Sequence, residues 1–143
     1  MLDKPQIIAH RGGSHYAPEN TIEAAMYTQL INASIDEQLW VTSYNTTWLD
    51  QTEATAPDMI TALSLELAEY VTVEEFQAMG YDMINTHHSK KDSFFRDFAE
   101  AGIPVNVRTV NIASRFQQVW TLGVTSVTTD KPEVFLDITK QLF

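Results

Sequence analysis

Residues 6–21 read QIIAHRGGSHYAPENT. Ile7, Ile8 and Ala9 form a short apolar run, the pattern of a buried strand. His10, Arg11, Gly12 and Gly13 follow directly, and Pro18, Glu19, Asn20 and Thr21 lead into a helical pattern. The stretch therefore reads as a strand, a polar loop and a helix in succession. In parallel α/β sheets, ligands gather at the carboxyl ends of the strands. There His10 offers a proton carrier and Arg11 a fixed cationic fork. Two glycines let the backbone approach an anion. Glu19 adds a carboxylate and Asn20 an amide.

The rest of the chain repeats this alternation. Residues 21–33 place Ile22, Ala25, Met26, Leu30 and Ile31 at helical spacing. Strands are expected at 39–44, 59–65, 81–86, 104–109 and 124–129, besides the first at 6–10. Helices are expected at 46–55, 73–79, 92–101, 113–122 and 133–143. Thr72 and Gly80 suit the start and stop of the helix at 73–79. Phe94, Phe95 and Phe98 fall on one helix face and read as core. Strand followed by helix, six times over, predicts a parallel α/β sheet with right-handed crossovers. No linker or low-complexity segment interrupts it, so residues 1–143 are expected to form a single domain.

Composition narrows the function classes. The chain has 143 residues, 44 % of them hydrophobic and 20 % charged, as in an ordinary globular protein. A complete (β/α)8 barrel usually takes about 250 residues. The formal net charge is −10, from 19 acidic and 9 basic residues. That balance argues against sequence-independent nucleic-acid binding and against adhesion to anionic membranes. Without cysteine there is no disulfide, thiolate zinc site or cysteine nucleophile. No apolar run approaches the ~18 residues of a membrane span. MLDKPQ does not have the form of a signal peptide. The expectation is a soluble, cytoplasmic protein.

The 6–21 stretch resembles the glycerophosphodiester phosphodiesterase family. The family's opening strand ends in Ala-His-Arg-Gly and its first loop in Pro-Glu-Asn-Thr. Both stand here, as Ala9-His10-Arg11-Gly12 and Pro18-Glu19-Asn20-Thr21. Val41-Thr42-Ser43-Tyr44-Asn45 is similar to a family strand ending in Ser-Phe or Ser-Tyr. Arg108-Thr109-Val110-Asn111 is similar to the family's Trp-Thr-Val-Asn, with Arg in place of the aromatic residue. Gly123 to Pro132 is similar to its final Gly-Val-Asp-x-Ile-x-Thr-Asp-x-Pro. The likeness runs in two blocks, about residues 5–33 and 38–143.

The resemblance implies an incomplete (β/α) TIM-type barrel of about six parallel strands. It implies hydrolysis of glycerophosphodiesters to glycerol 3-phosphate and an alcohol, assisted by Mg2+ or Ca2+. His10 and Arg11 would be catalytic, and Arg11 and Asn20 would bind substrate. Glu19 would be a metal ligand, joined by Glu37, which stands at about the family's spacing for a metal-binding Glu. The chain departs from the family at a join within residues 33–38. A long family stretch is missing there, with its Glu-x-Asp pair, a His-Asp pair and a Glu-x-Lys. Leu39 stands where the Asp partner of Glu37 would be. Metal binding and turnover are therefore expected to be weak or lost. The alternatives are a non-catalytic glycerol-phosphate-binding remnant and an oligomeric interaction module.

Other residues carry two readings each. One of His87 and His88 would replace the lost acid, or both are surface residues beside Lys90 and Lys91. Adjacent histidines on an extended strand point in opposite directions, so only one would serve. Arg108 adds charge to the pocket or forms an ion pair in the barrel interior. His15 contacts substrate or is a loop residue, and Asp130 is expected to orient the first strand's loop. The missing segment should leave the sheet open between the first two strands, with unpaired edges flanking an apolar interior. A narrowed barrel, a displaced helix or a second copy would cover them. A homodimer is the expectation, because a narrowed barrel would have to shed core side chains.

Overall fold

The computed structural model describes residues 6–9, 40–55, 57 and 60–142. Among these residues six strands form one sheet: β1 Gln6–Ala9, β2 Trp40–Ser43, β3 Ile60–Leu65, β4 Met83–His87, β5 Val105–Arg108 and β6 Ser126–Thr129. Five helices connect or follow them: α1 Thr46–Thr55, α2 Val73–Met79, α3 Asp92–Glu100, α4 Ala113–Thr121 and α5 Pro132–Leu142. The strands run β1-β6-β5-β4-β3-β2 across the sheet, and all five pairings are parallel. The first strand thus lies beside the last, with Ala9 aligned on Thr129. β1 and β2 end the order. The arrangement is compatible with part of a TIM-type barrel. Among the described residues no helix is long and apolar enough to cross a membrane.

Local chemistry explains the elements. Thr72 caps α2 by accepting from the Glu75 N–H at 3.1 Å, and Glu75 accepts from the Thr72 N–H at 2.8 Å. This reciprocal pair satisfies two donors that a helix start otherwise leaves unpaired. Gly80 ends α2 at φ +81°, a left-handed turn that glycine adopts without a Cβ clash. Pro132 opens α5, where a missing N–H costs nothing.

Side chains alternate between faces along each strand, so every strand divides its residues between two environments. Leu63, Leu65, Ile84, Val105, Val107 and Val127 join the core with Phe76, Phe94, Phe95, Phe98, Phe116 and Phe135. Phe76 meets Phe98 edge to face at 5.8 Å, and Phe116 meets Phe135 at 5.2 Å. Fully burying one such side chain contributes about 1.5–3 kcal/mol.

The opposite face corrects one expectation. It carries Thr42, Ser64, Asn85, Asn106, Ser126 and Thr128, hydrogen-bonded in a chain. The interior is thus mainly polar where an apolar one was expected. The alternate positions of these strands are short polar residues, each able to partner the next. The homodimer expectation loses that premise, while β1 and β2 are the outer strands of the sheet among the described residues.

Candidate functional site

The polar face is built as a relay. Thr42 and Ser64 hydroxyls lie 2.7 Å apart, and the Asn85 amide donates to both, at 2.9 and 3.1 Å. The Asn106 amide donates to Asn85 Oδ1 at 2.8 Å and to Thr128 at 2.9 Å, and Asn106 Oδ1 accepts from Ser126 at 3.0 Å. Among the described residues no buried side-chain polar atom lacks a partner. Complete satisfaction is what makes a buried polar network tolerable and rigid. Some of its bonds skip a strand, as from β4 to β2, which fits a sheet curled toward this face.

One step further toward the carboxyl ends, the same alternation brings Tyr44, Glu66, His87 and Arg108 together. The register pairs His87 with Arg108, and Thr86 with Leu65, so His87 and Glu66 extend neighbouring strands in step. Arg108 Nη1 donates to the Asn85 carbonyl at 3.1 Å and Nη2 to the Leu65 carbonyl at 3.3 Å. Nη2 also donates to the Tyr44 hydroxyl and lies 3.5 Å from Glu66 Oε1. The guanidinium sits over the Tyr44 ring, 5.1 Å from its centroid. One side chain thus fastens the ends of β2, β3, β4 and β5. A hydrogen bond from Tyr44 holds the Glu66 carboxyl below its usual range, with Arg108 and His87 adding to the effect. Partial burial and the bond to Glu66 raise the Tyr44 hydroxyl.

Two expectations at the β4 end are corrected. His87 and His88 do not diverge, because the strand ends at His87 and the turn folds His88 back. Their rings stack with centroids 4.6 Å apart. His87 Nδ1 accepts from the Ser89 N–H at 3.1 Å, which leaves Nε2 as the donor. The His88 carbonyl accepts from Arg115 Nε at 3.0 Å. Desolvation, then the neighbouring His87 and Arg115, lower the His88 imidazole. Lys90 is not a surface companion of these histidines. It is buried, donates to the Leu67 and Glu69 carbonyls, and stands 5.5 Å from the centre of the Phe94 ring. Desolvation lowers its ammonium.

Asn111 joins the ends of β5 and β6. It donates to Asp130 at 2.7 Å and accepts from Thr129 and from the Asp130 N–H, both at 3.0 Å. Of the two roles expected for Arg108, the ion pair is present, with Glu66. His10, Arg11, His15, Glu19, Asn20 and Glu37 lie outside the described residues. Among the described residues no group of three or more His, Asp or Glu gathers to hold a metal ion. Sequence reasoning did not single out Glu66. Its signal was the polar spacing Ser64-x-Glu66, repeated as Asn85-x-His87 and Asn106-x-Arg108.

No protein-family model and no curated protein matches the chain. Solved structures do. A phosphodiesterase from Oleispira antarctica, in complex with its product sn-glycerol-3-phosphate, superposes with a TM-score of 0.65 at 20 % identity. The match covers 82 % of this chain and 48 % of that one. A glycerophosphodiester phosphodiesterase from Parabacteroides distasonis matches with a TM-score of 0.64 at 15 % identity, over 96 % of this chain and 58 % of that one. This chain thus has the fold of glycerophosphodiester phosphodiesterases, over about half of their length.

Proposed function

We propose that this protein binds a glycerol-phosphate-bearing ligand at the carboxyl end of its sheet and hydrolyses glycerophosphodiesters weakly. The observation that carries the reading is the pairing of β1. Ala9 aligns with Thr129 beside β6, and the chain continues from Ala9 into His10-Arg11-Gly12. That exit is at the same end of the sheet as Arg108, His87 and Asn111. In this reading the whole is an incomplete barrel. Arg11 grips two phosphate oxygens, and Asn20 orients the ligand. His10 passes a proton to the departing alkoxide. Mg2+ or Ca2+, where bound at Glu19 and Glu37, would offset charge on the phosphoryl oxygens.

A second reading, a binder without turnover, has its own support. The family's Glu-x-Asp pair and His-Asp pair are not present as motifs in the sequence. Loss of one acid–base group costs about 10^2- to 10^4-fold in rate. Hydrolysis of glycerophosphocholine with and without added Mg2+ or Ca2+ separates the two, alongside titration with sn-glycerol 3-phosphate. Slow, metal-dependent release of glycerol 3-phosphate supports the first, and saturable binding without release supports the second. Arg11→Ala should weaken binding more than His10→Ala. Metal-independent turnover near about 10 s−1, an ordinary enzyme rate, would refute the weak-activity reading. Absence of both binding and hydrolysis would refute both.

A further inference from the structure

We infer that Arg108, Tyr44 and His87 form a phosphate-accepting site that the Glu66 carboxylate occupies in the free protein. The choice of a phosphate probe rests on the function proposed above, whereas the geometry stands by itself. Glu66 is an anion set among three donor side chains from three strands. The Arg108 guanidinium lies 3.5 Å from Oε1. The Tyr44 hydroxyl bonds to Glu66. His87 follows Thr86, whose register partner is Leu65, and His87 itself pairs with Arg108. Arginine, a phenol and an imidazole N–H are donors that a phosphate group accepts from at once.

The occupant is built to leave. The Glu66 side chain is 59 % exposed, whereas Arg108 is 17 % exposed. An exposed ion pair at this separation contributes little. The Glu66 backbone is separately pinned: its N–H donates to Glu69 Oε2 at 2.7 Å, and its carbonyl accepts from the Glu69 N–H at 3.2 Å. Rotation of the Glu66 side chain alone therefore frees the Nη2 side of Arg108 without disturbing β3. Arg108 stays in place meanwhile, held by the Asn85 and Leu65 carbonyls and the Tyr44 ring. Lys90, fixed on the Leu67 carbonyl, is a second basic group near enough to interact with Arg108 and Glu66.

Titration with sn-glycerol 3-phosphate and with inorganic phosphate tests this on wild type, Glu66→Gln, Arg108→Lys and the Glu66→Gln/Arg108→Lys double variant. Thermal melts verify that each is folded. Glu66→Gln should bind both probes about fivefold tighter or more, by loss of a competing like charge. Adding Arg108→Lys should erase that gain, because lysine cannot reproduce the planar fork. Equal affinity of Glu66→Gln and wild type would overturn the inference, as would a gain that survives Arg108→Lys. An Arg11→Ala variant keeps the two readings apart. Binding that Arg11→Ala abolishes but Glu66→Gln leaves unchanged sinks this inference and spares the proposed function. A Glu66→Gln gain that Arg11→Ala leaves intact, with no diester hydrolysis, does the reverse.

Discussion

On the helix side of the sheet, Ile84, Val105, Val107 and Val127 meet a layer of phenylalanines. On the other side the same strands present Asn85, Asn106, Ser126 and Thr128, bonded to one another. Both faces are buried, yet they are held by different physics. The helix side is non-directional and scales with apolar area removed from water. The polar side gains little per bond, but leaving any member unpaired is costly. The first face supplies stability. The second fixes the strand ends in one register and so aims Tyr44, Glu66, His87 and Arg108 at a common point.

The comparison predicts unequal responses to truncation. Phe98→Ala should have the largest effect, about 3–5 kcal/mol in urea unfolding, through the cavity left against Phe76 and Phe94. A loss under about 1 kcal/mol would mean that this layer collapses freely and is not close-packed.

Asn106→Ala should cost less, about 1–3 kcal/mol, by stranding the partners Asn85, Ser126 and Thr128. Its sharper signature is slow exchange lost at the β4, β5 and β6 amides in hydrogen-exchange measurements. If Asn106→Ala matched Phe98→Ala in stability, the division of labour between the faces would be wrong.

The smallest effect is confined to alkaline pH. Tyr81 is buried, and its hydroxyl donates to Asp50 at 2.7 Å. Desolvation, with Asp50 beside it, pushes the hydroxyl up from 10.0 to about 12. The folded-state value is raised, so the stabilisation is full below pH 10 and is lost as pH rises from 10 toward about 12. Tyr81→Phe should flatten the stability curve within that window and leave its slope near neutrality unchanged. An alkaline limb that persists in Tyr81→Phe would assign the titration elsewhere.

Much of this architecture was legible in the residues. Thr72 and Gly80 announced α2, because capping and left-handed turns depend on local chemistry. Phe94, Phe95 and Phe98 announced a buried helix face by spacing alone. The strand stretches at 59–65 and 104–109 were legible as strands, but not in what their second face does. The expectation of an apolar interior obscured the alternation of Ser64, Asn85 and Asn106, since burial and polarity are separate properties. The candidate site divided in the same way. His10, Arg11, Glu19 and Asn20 stood out through their order in the chain. Glu66 did not, because its partners lie 22 and 42 residues away, at Tyr44 and Arg108.

The sequence by itself determined the alternation of strand and helix, the caps, the aromatic layer and the acidic balance. Each is a property of near neighbours or of composition. Tertiary structure decided that the last strand lies beside the first, that the inner face is a closed hydrogen-bond relay, and that Lys90 is buried. It also decided that three residues, Tyr44, His87 and Arg108, from the ends of three other strands, gather around the Glu66 carboxylate. These follow from register and from which distant strands meet, and a one-residue shift in pairing would turn every one of those side chains to the other face.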